Sequence, residues 1–224
     1  EIPLRLVGSE MCIRDRNNGV SSPTRGVIGG GYVHPGAYVN VIGYVTISTT
    51  GDFADFGDLT SARGRAGGIH NATRGIVTGG FTPGTSNTID FITMATLGNA
   101  VDFGDFTLAR TASQCGSSGT RGLVAGGSYP GRPNTGETQI DYITFQSGGG
   151  ANDFGDMTLQ GTHKGAGISN GIRGVFCGGY DGNSPYHMFA TCQFVTIATL
   201  GNLSLIHISE PTRRRGISDA GLGG

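Results

Sequence analysis

Residues 121–127, Arg-Gly-Leu-Val-Ala-Gly-Gly, and residues 153–156, Asp-Phe-Gly-Asp, decide how this chain is read, because both recur in fixed order. Arg-Gly stands at Arg25, Arg74, Arg121 and Arg173, and a glycine pair follows each: Gly30 and Gly31, Gly79 and Gly80, Gly126 and Gly127, Gly178 and Gly179. Successive copies are 49, 47 and 52 residues apart. Asp-Phe-Gly-Asp closes the first three copies around Phe56, Phe103 and Phe154.

A period near 50 residues belongs to supersecondary units stacked on their neighbours, and a unit of this size fits a propeller blade better than a helical hairpin. Glycine makes up 43 of 224 residues and charged residues 14%, which is the usage of short strands joined by tight turns. No window keeps a helical period. In the third copy, residues 112–116, 122–127, 139–145 and 153–158 read as four short antiparallel strands, which make one blade. The expected fold is all-β: a partial propeller arc of about four four-stranded antiparallel blades over residues 17–63, 64–110, 111–161 and 162–202, the first and last incomplete.

The two ends stand outside the repeat. Residues 6–16 (LVGSEMCIRDR) and 203–213 (LSLIHISEPTR) share no amino-acid similarity, yet a back-translation of the first exists whose reverse complement encodes the second completely. Both resemble translated transposase-type sequencing adapter. Residues 1–16 and 203–224 are therefore set aside from fold reasoning, as any processing or cloning scar should be.

Each repeated feature has a physical task. The glycine pairs end a strand where backbones crowd together and φ turns positive. Tyr44, Phe91, Tyr142 and Phe194 recur within third strands that are apolar on both sides. Phe56, Phe103 and Phe154, with Leu59, Phe106 and Met157 three positions later, are expected to fill the gap between blades. The carboxylates beside those phenylalanines, Asp55 and Asp58 in the first copy, suit turn capping or pairing with Arg63 and Arg110 rather than a calcium loop, which needs six to eight converging oxygens. The third copy has Gly161 where those arginines stand.

Glycine pair, strand with Tyr or Phe, aromatic-x-x-Leu or Met, then Arg and a small-residue strand is similar in order to the repeat of kelch-type β-propellers. The resemblance covers residues 17–202, with Phe56, Phe103 and Phe154 where that family usually carries Trp, a residue this chain lacks. The wording of the repeats also resembles kelch-like repeat proteins of phages in marine metagenomes, which implies a structural or tail-fibre role.

Little chemistry is on offer. A copper radical oxidase, one enzyme type the resemblance allows, needs two His, two Tyr and a Cys converging on a metal. Here His34, His70, His163 and His187 stand at unrelated stations of the repeats, so no catalytic residue, metal ligand or cofactor is assigned. Within residues 17–202 the cysteines are Cys115, Cys177 and Cys192, an odd count without CxxC spacing that reads as buried free thiols. Nine Lys and Arg against eleven Asp and Glu in that span form no basic cluster, which excludes a nucleic-acid footprint, and no membrane span stands out.

The loops between second and third strands (residues 32–40, 81–87, 128–138 and 180–191) vary while their flanks repeat, and antiparallel alternation places all of them on one face. His34, Tyr38, Tyr129, Arg132, Tyr186 and His187 are the candidate binding residues there, suited to a glycan or protein surface. Two roles follow as expectations. One is a non-catalytic propeller on a virion or extracellular appendage; the other is an intracellular adaptor, which free thiols would allow. Further blades of a longer chain are an expected partner of either.

Overall fold

In the computed structural model, residues 14–49, 51–129, 137–158, 164–180 and 188–206 are described, and they contain strands and no helix. Four antiparallel sheets of four strands are arranged around a common axis as in a four-bladed β-propeller. The first is built from Asn18–Ser21, Arg25–Gly29, Val41–Thr46 and Ala54–Asp58, and the second from Gly67–His70, Arg74–Thr78, Thr88–Thr93 and Val101–Asp105. The third uses Gln114–Ser117, Arg121–Ala125, Gln139–Thr144 and Asn152–Asp156, and the fourth Ala166–Ser169, Arg173–Cys177, Cys192–Thr196 and Ser204–Ile206. Each sheet is a meander in chain order, and the first strands of consecutive blades lie side by side nearest the axis.

The end blades are more complete than the sequence suggests. Ser204–Ile206, from the C-terminal adapter-like segment, pairs with Cys192–Phe194 as the fourth blade's outer strand. Leu203 is buried with the core of the third blade. At the other end Asp15 pairs with Tyr32 as Gly64 bridges to Phe81 one repeat later. Arg16 also shares the left-handed backbone of Arg65, Ala112 and Lys164, its counterparts at the same spacing. The repeat geometry thus extends a few residues into both flanks.

Three buried seams hold the blades together. Phe56, Phe103 and Phe154 lie in them at 3%, 5% and 3% exposure, as expected of residues that fill the space between sheets. Burying one such ring stabilises the fold by about 1.5–3 kcal/mol. Each ring packs edge-on against its own blade's aromatic: Tyr44, Phe91 or Tyr142, at centroid distances of 5.9, 5.7 and 6.2 Å. Leu59, Phe106 and Met157 complete the same clusters.

The Arg-Gly motif belongs to the seams too. Arg25, Arg74 and Arg121 each stack on that aromatic, with guanidinium to ring distances of 5.0, 5.1 and 4.6 Å. Each then donates a hydrogen bond to a carbonyl of the next blade: Met94 at 2.8 Å, Phe145, and Ala198 at 3.1 Å. The glycine of Asp-Phe-Gly-Asp meets the following blade as well. At Gly104 (φ 127°) a Cβ would fall 2.4 Å from the Gly150 nitrogen, so no larger residue fits. Its Asp102 carboxylate accepts the Gly104 N–H at 2.9 Å, which is the turn capping expected of these acids.

Arg63 and Arg110 pair differently from the expectation. They reach neither Asp55 and Asp58 nor their counterparts; Arg63 pairs with Asp90 at 3.0 Å and Arg110 with Asp141, in the third strand of the following blade. All four side chains are fully buried. Burial pulls both guanidinium groups below their ordinary range against the opposing pull of their aspartates, and pushes the Asp141 carboxyl up. Asp90 is completed by Thr60, whose hydroxyl and N–H donate to it at 2.6 and 3.0 Å. In the last seam Gln193 replaces the aspartate and accepts both bonds from Thr158, at 2.7 Å each. A neutral amide stands where the sequence offers no arginine partner, which avoids an uncompensated buried charge.

The glycine pairs are placed by the same connections. Gly30 and Gly79 have φ of 62° and 57°, and a Cβ on them would fall 2.3 and 2.4 Å from the carbonyl oxygens of Arg63 and Arg110. The crowding comes from the chain crossing to the next blade, which itself carries the buried arginine.

Candidate functional site

The loops between second and third strands emerge on the face that also carries the blade-to-blade connections. In the first blade Tyr32–Val33 and Ala37–Tyr38 form a small hairpin, with His34 exposed at its tip. The Tyr38 ring packs edge-on against Tyr32 at 5.2 Å and against Phe81 of the second blade at 5.7 Å. Tyr129 is half-buried beside Ser128, which bridges to Thr111. Of the six candidate binding residues, Tyr38 is therefore drawn into a cluster spanning two blades while His34 and Tyr129 stand in separate loops. Arg132, Tyr186 and His187 lie outside the described residues.

A second pattern on this face went unread in the sequence. At three of the four stations that precede a blade's first strand, a cation lies over an aromatic: Arg16 on Tyr32 at 5.3 Å, Arg65 on Phe81 at 5.9 Å and Lys164 on Tyr180 at 5.1 Å. Lys164 also donates to the Tyr180 hydroxyl at 2.7 Å. The third blade carries Ala112 and Ser128 at these stations. Because the side chains vary in type, what marks the station is its backbone: all four residues have φ between 55° and 60°. Three positive charges thus lie over flat apolar rings on this face, in loops of different length.

The cysteines depart from the expectation. Cys177 and Cys192, directly opposed in the second and third strands of the fourth blade, form a disulfide with Cα atoms 4.2 Å apart. The antiparallel register sets the two side chains opposite one another, and the bond closes the base of the loop 178–191. Cys115 alone stays a thiol among the described cysteines; burial beside Gly68 and Thr78 pushes it up to about 12, leaving it inert.

The opposite face opens as a funnel of about 750 Å³ along the axis. Its wall is the fourth position of each first strand, Ser21, His70, Ser117 and Ser169, above small residues such as Gly19, Gly68 and Gly167. Ser21 Oγ lies 3.3 Å from His70 Nε2, and the Ser117 N–H donates to Ser169 Oγ at 2.9 Å. Burial lowers the His70 imidazole below its usual range. Asn71, an N-glycosylation sequon by sequence, uses its amide as a turn cap: Oδ1 accepts the N–H groups of Thr73 and Arg74, and Nδ2 donates to Gly119. Among the described residues no three His, Cys, Asp or Glu side chains gather to hold a metal.

No protein-family description matches this chain, and no curated protein matches it in sequence.

Proposed function

We propose that this chain is a non-catalytic binding or structural propeller of the kelch-like kind, carried on a phage tail fibre, virion or cell-surface appendage and recognising a glycan or protein surface. The reading rests on the face bearing Arg65 and Lys164 over Phe81 and Tyr180. Ring faces suit apolar sugar or side-chain surfaces, and the cations favour a partner with carboxylate or sulfate groups. The Cys177–Cys192 bond supports an oxidising compartment, which favours an appendage over the intracellular adaptor.

The test is a glycan and peptide array probed with the wild-type chain, with Arg65→Ala and with Lys164→Ala. Binding concentrated on acidic ligands, and reduced at least tenfold by either substitution, is the expected result. Binding unaffected by both substitutions would overturn the reading.

A further inference from the structure

Each first strand contributes its second and fourth positions to the axial funnel of about 750 Å³: Gly19 and Ser21, Gly68 and His70, Cys115 and Ser117, Gly167 and Ser169. Packing sets two of the glycines. A Cβ on Gly68 would fall 2.6 Å from the Gly19 carbonyl oxygen, and one on Gly167 would fall 2.2 Å from that of Cys115. No large side chain can fill the axis at those positions, and the space left open lies within the roughly 300–1,000 Å³ of small-molecule sites.

The polar groups at the tips of the surrounding turns are committed to those turns. Ser22, Asn71, Ser118 and Asn170 each accept the N–H groups two and three residues further on. The fourth-position groups keep capacity to spare. Ser21 Oγ and His70 Nε2 share one contact across the seam between the first and second blades. Ser169 Oγ accepts the Ser117 N–H across the seam between the third and fourth, which leaves its own O–H to donate. The Ser117 hydroxyl, between these two pairs, has no partner among the described residues. Among the described residues no Lys, Arg, Asp or Glu side chain lines the funnel, and burial keeps the His70 imidazole below its usual range and so uncharged near neutral pH. A charged ligand would lose hydration there with no opposite charge to meet. Hydroxyls that both donate and accept, an imidazole, and apolar Pro23 and Ala72 at the turn tips suit a neutral molecule with several hydroxyls and some apolar C–H surface of its own.

We propose that the funnel is a second binding site, for a neutral saccharide whose hydroxyls bond to Ser117 Oγ, Ser169 Oγ and the Ser21–His70 pair. The Ser169 hydroxyl donates to the sugar while its oxygen keeps the Ser117 N–H, and the Ser117 hydroxyl turns to donate or accept as the sugar requires. Each of these groups is held by a seam already formed between blades. The site lies on the face opposite the cation-bearing loops and does not rest on the acidic partner proposed for them.

Heteronuclear NMR of the full chain, titrated with glucose, galactose, mannose, fucose and N-acetylglucosamine, tests the site. At least one of these neutral sugars should shift the amide signals of His70, Ser117 and Ser169 ahead of all others. Ser117→Val keeps a strand-forming side chain without the hydroxyl and should weaken that binding about threefold to tenfold, the worth of one hydrogen bond. His70→Phe, which keeps a ring without its nitrogens, should do the same and serves if Ser117→Val fails to fold. Glucuronate and glucosamine, charged molecules of similar size, should bind roughly tenfold more weakly than the neutral sugar. No shift with any of the five sugars, shifts confined to Phe81 and Tyr180 on the opposite face, unchanged affinity in the folded variants, or charged molecules that bind as well as the neutral one would each overturn the proposal.

Discussion

Gly122 lies directly under Ile69 of the preceding blade: a Cβ at Gly122 would fall 2.1 Å from Ile69 Cδ1. The glycine of the Arg-Gly motif is there for the neighbour's side chain, since Gly122 itself lies in regular strand between Arg121 and Leu123. Gly122→Ala should overpack the seam and cost about 1–3 kcal/mol in chemical denaturation. Combined with Ile69→Ala, which vacates the same space, the loss should be smaller than the sum of the two single losses.

Removing the Cys177–Cys192 bond in a Cys177→Ser, Cys192→Ser chain releases the base of a loop whose ends are 15 residues apart. The unfolded chain then regains the freedom of that loop, and stability should fall by about 3 kcal/mol. Peptide mapping without reductant checks the bond itself, and urea unfolding of both chains checks the loss.

His70 occupies the station held by Ser21, Ser117 and Ser169 in the other blades. Its folded pKa is lowered by burial, so the unfolded state takes up the proton first. The corresponding stability is complete above the unfolded value of about 6.5 and is lost as pH falls through it towards the folded value. In paired melts at pH 7.5 and 5, His70→Ser should lose less stability on acidification than the wild type.

How much of this was legible follows from where each partner lies in the chain. The repeat made the blades readable, and Phe56, Phe103 and Phe154 went to the seams because an apolar ring among turn residues has nowhere else to be buried. The arginine pairs were misread because Asp55 and Asp58 are close in sequence to Arg63 whereas Asp90 belongs to another blade. Cys177 and Cys192 face one another through a hairpin register that cysteine counting does not contain. The cation stations of Arg16, Arg65 and Lys164 were invisible because the third repeat has Ala112 there; the shared element is the left-handed backbone. On the candidate face, Tyr38 was found from loop variability, while its partners Tyr32 and Phe81 were not.

The most direct measurement of whether these repeats are blades locked in sequence is a double-mutant cycle on Arg110 and Asp141, which belong to successive blades. Arg110→Met and Asp141→Leu should each destabilise by about 3–5 kcal/mol, because each strands a buried charge. The double variant should recover most of that loss, giving a coupling of about 3 kcal/mol or more. Additive losses at Asp141, with coupling of Arg110 to the neighbouring Asp105 instead, would contradict the stacking of blades described for this chain.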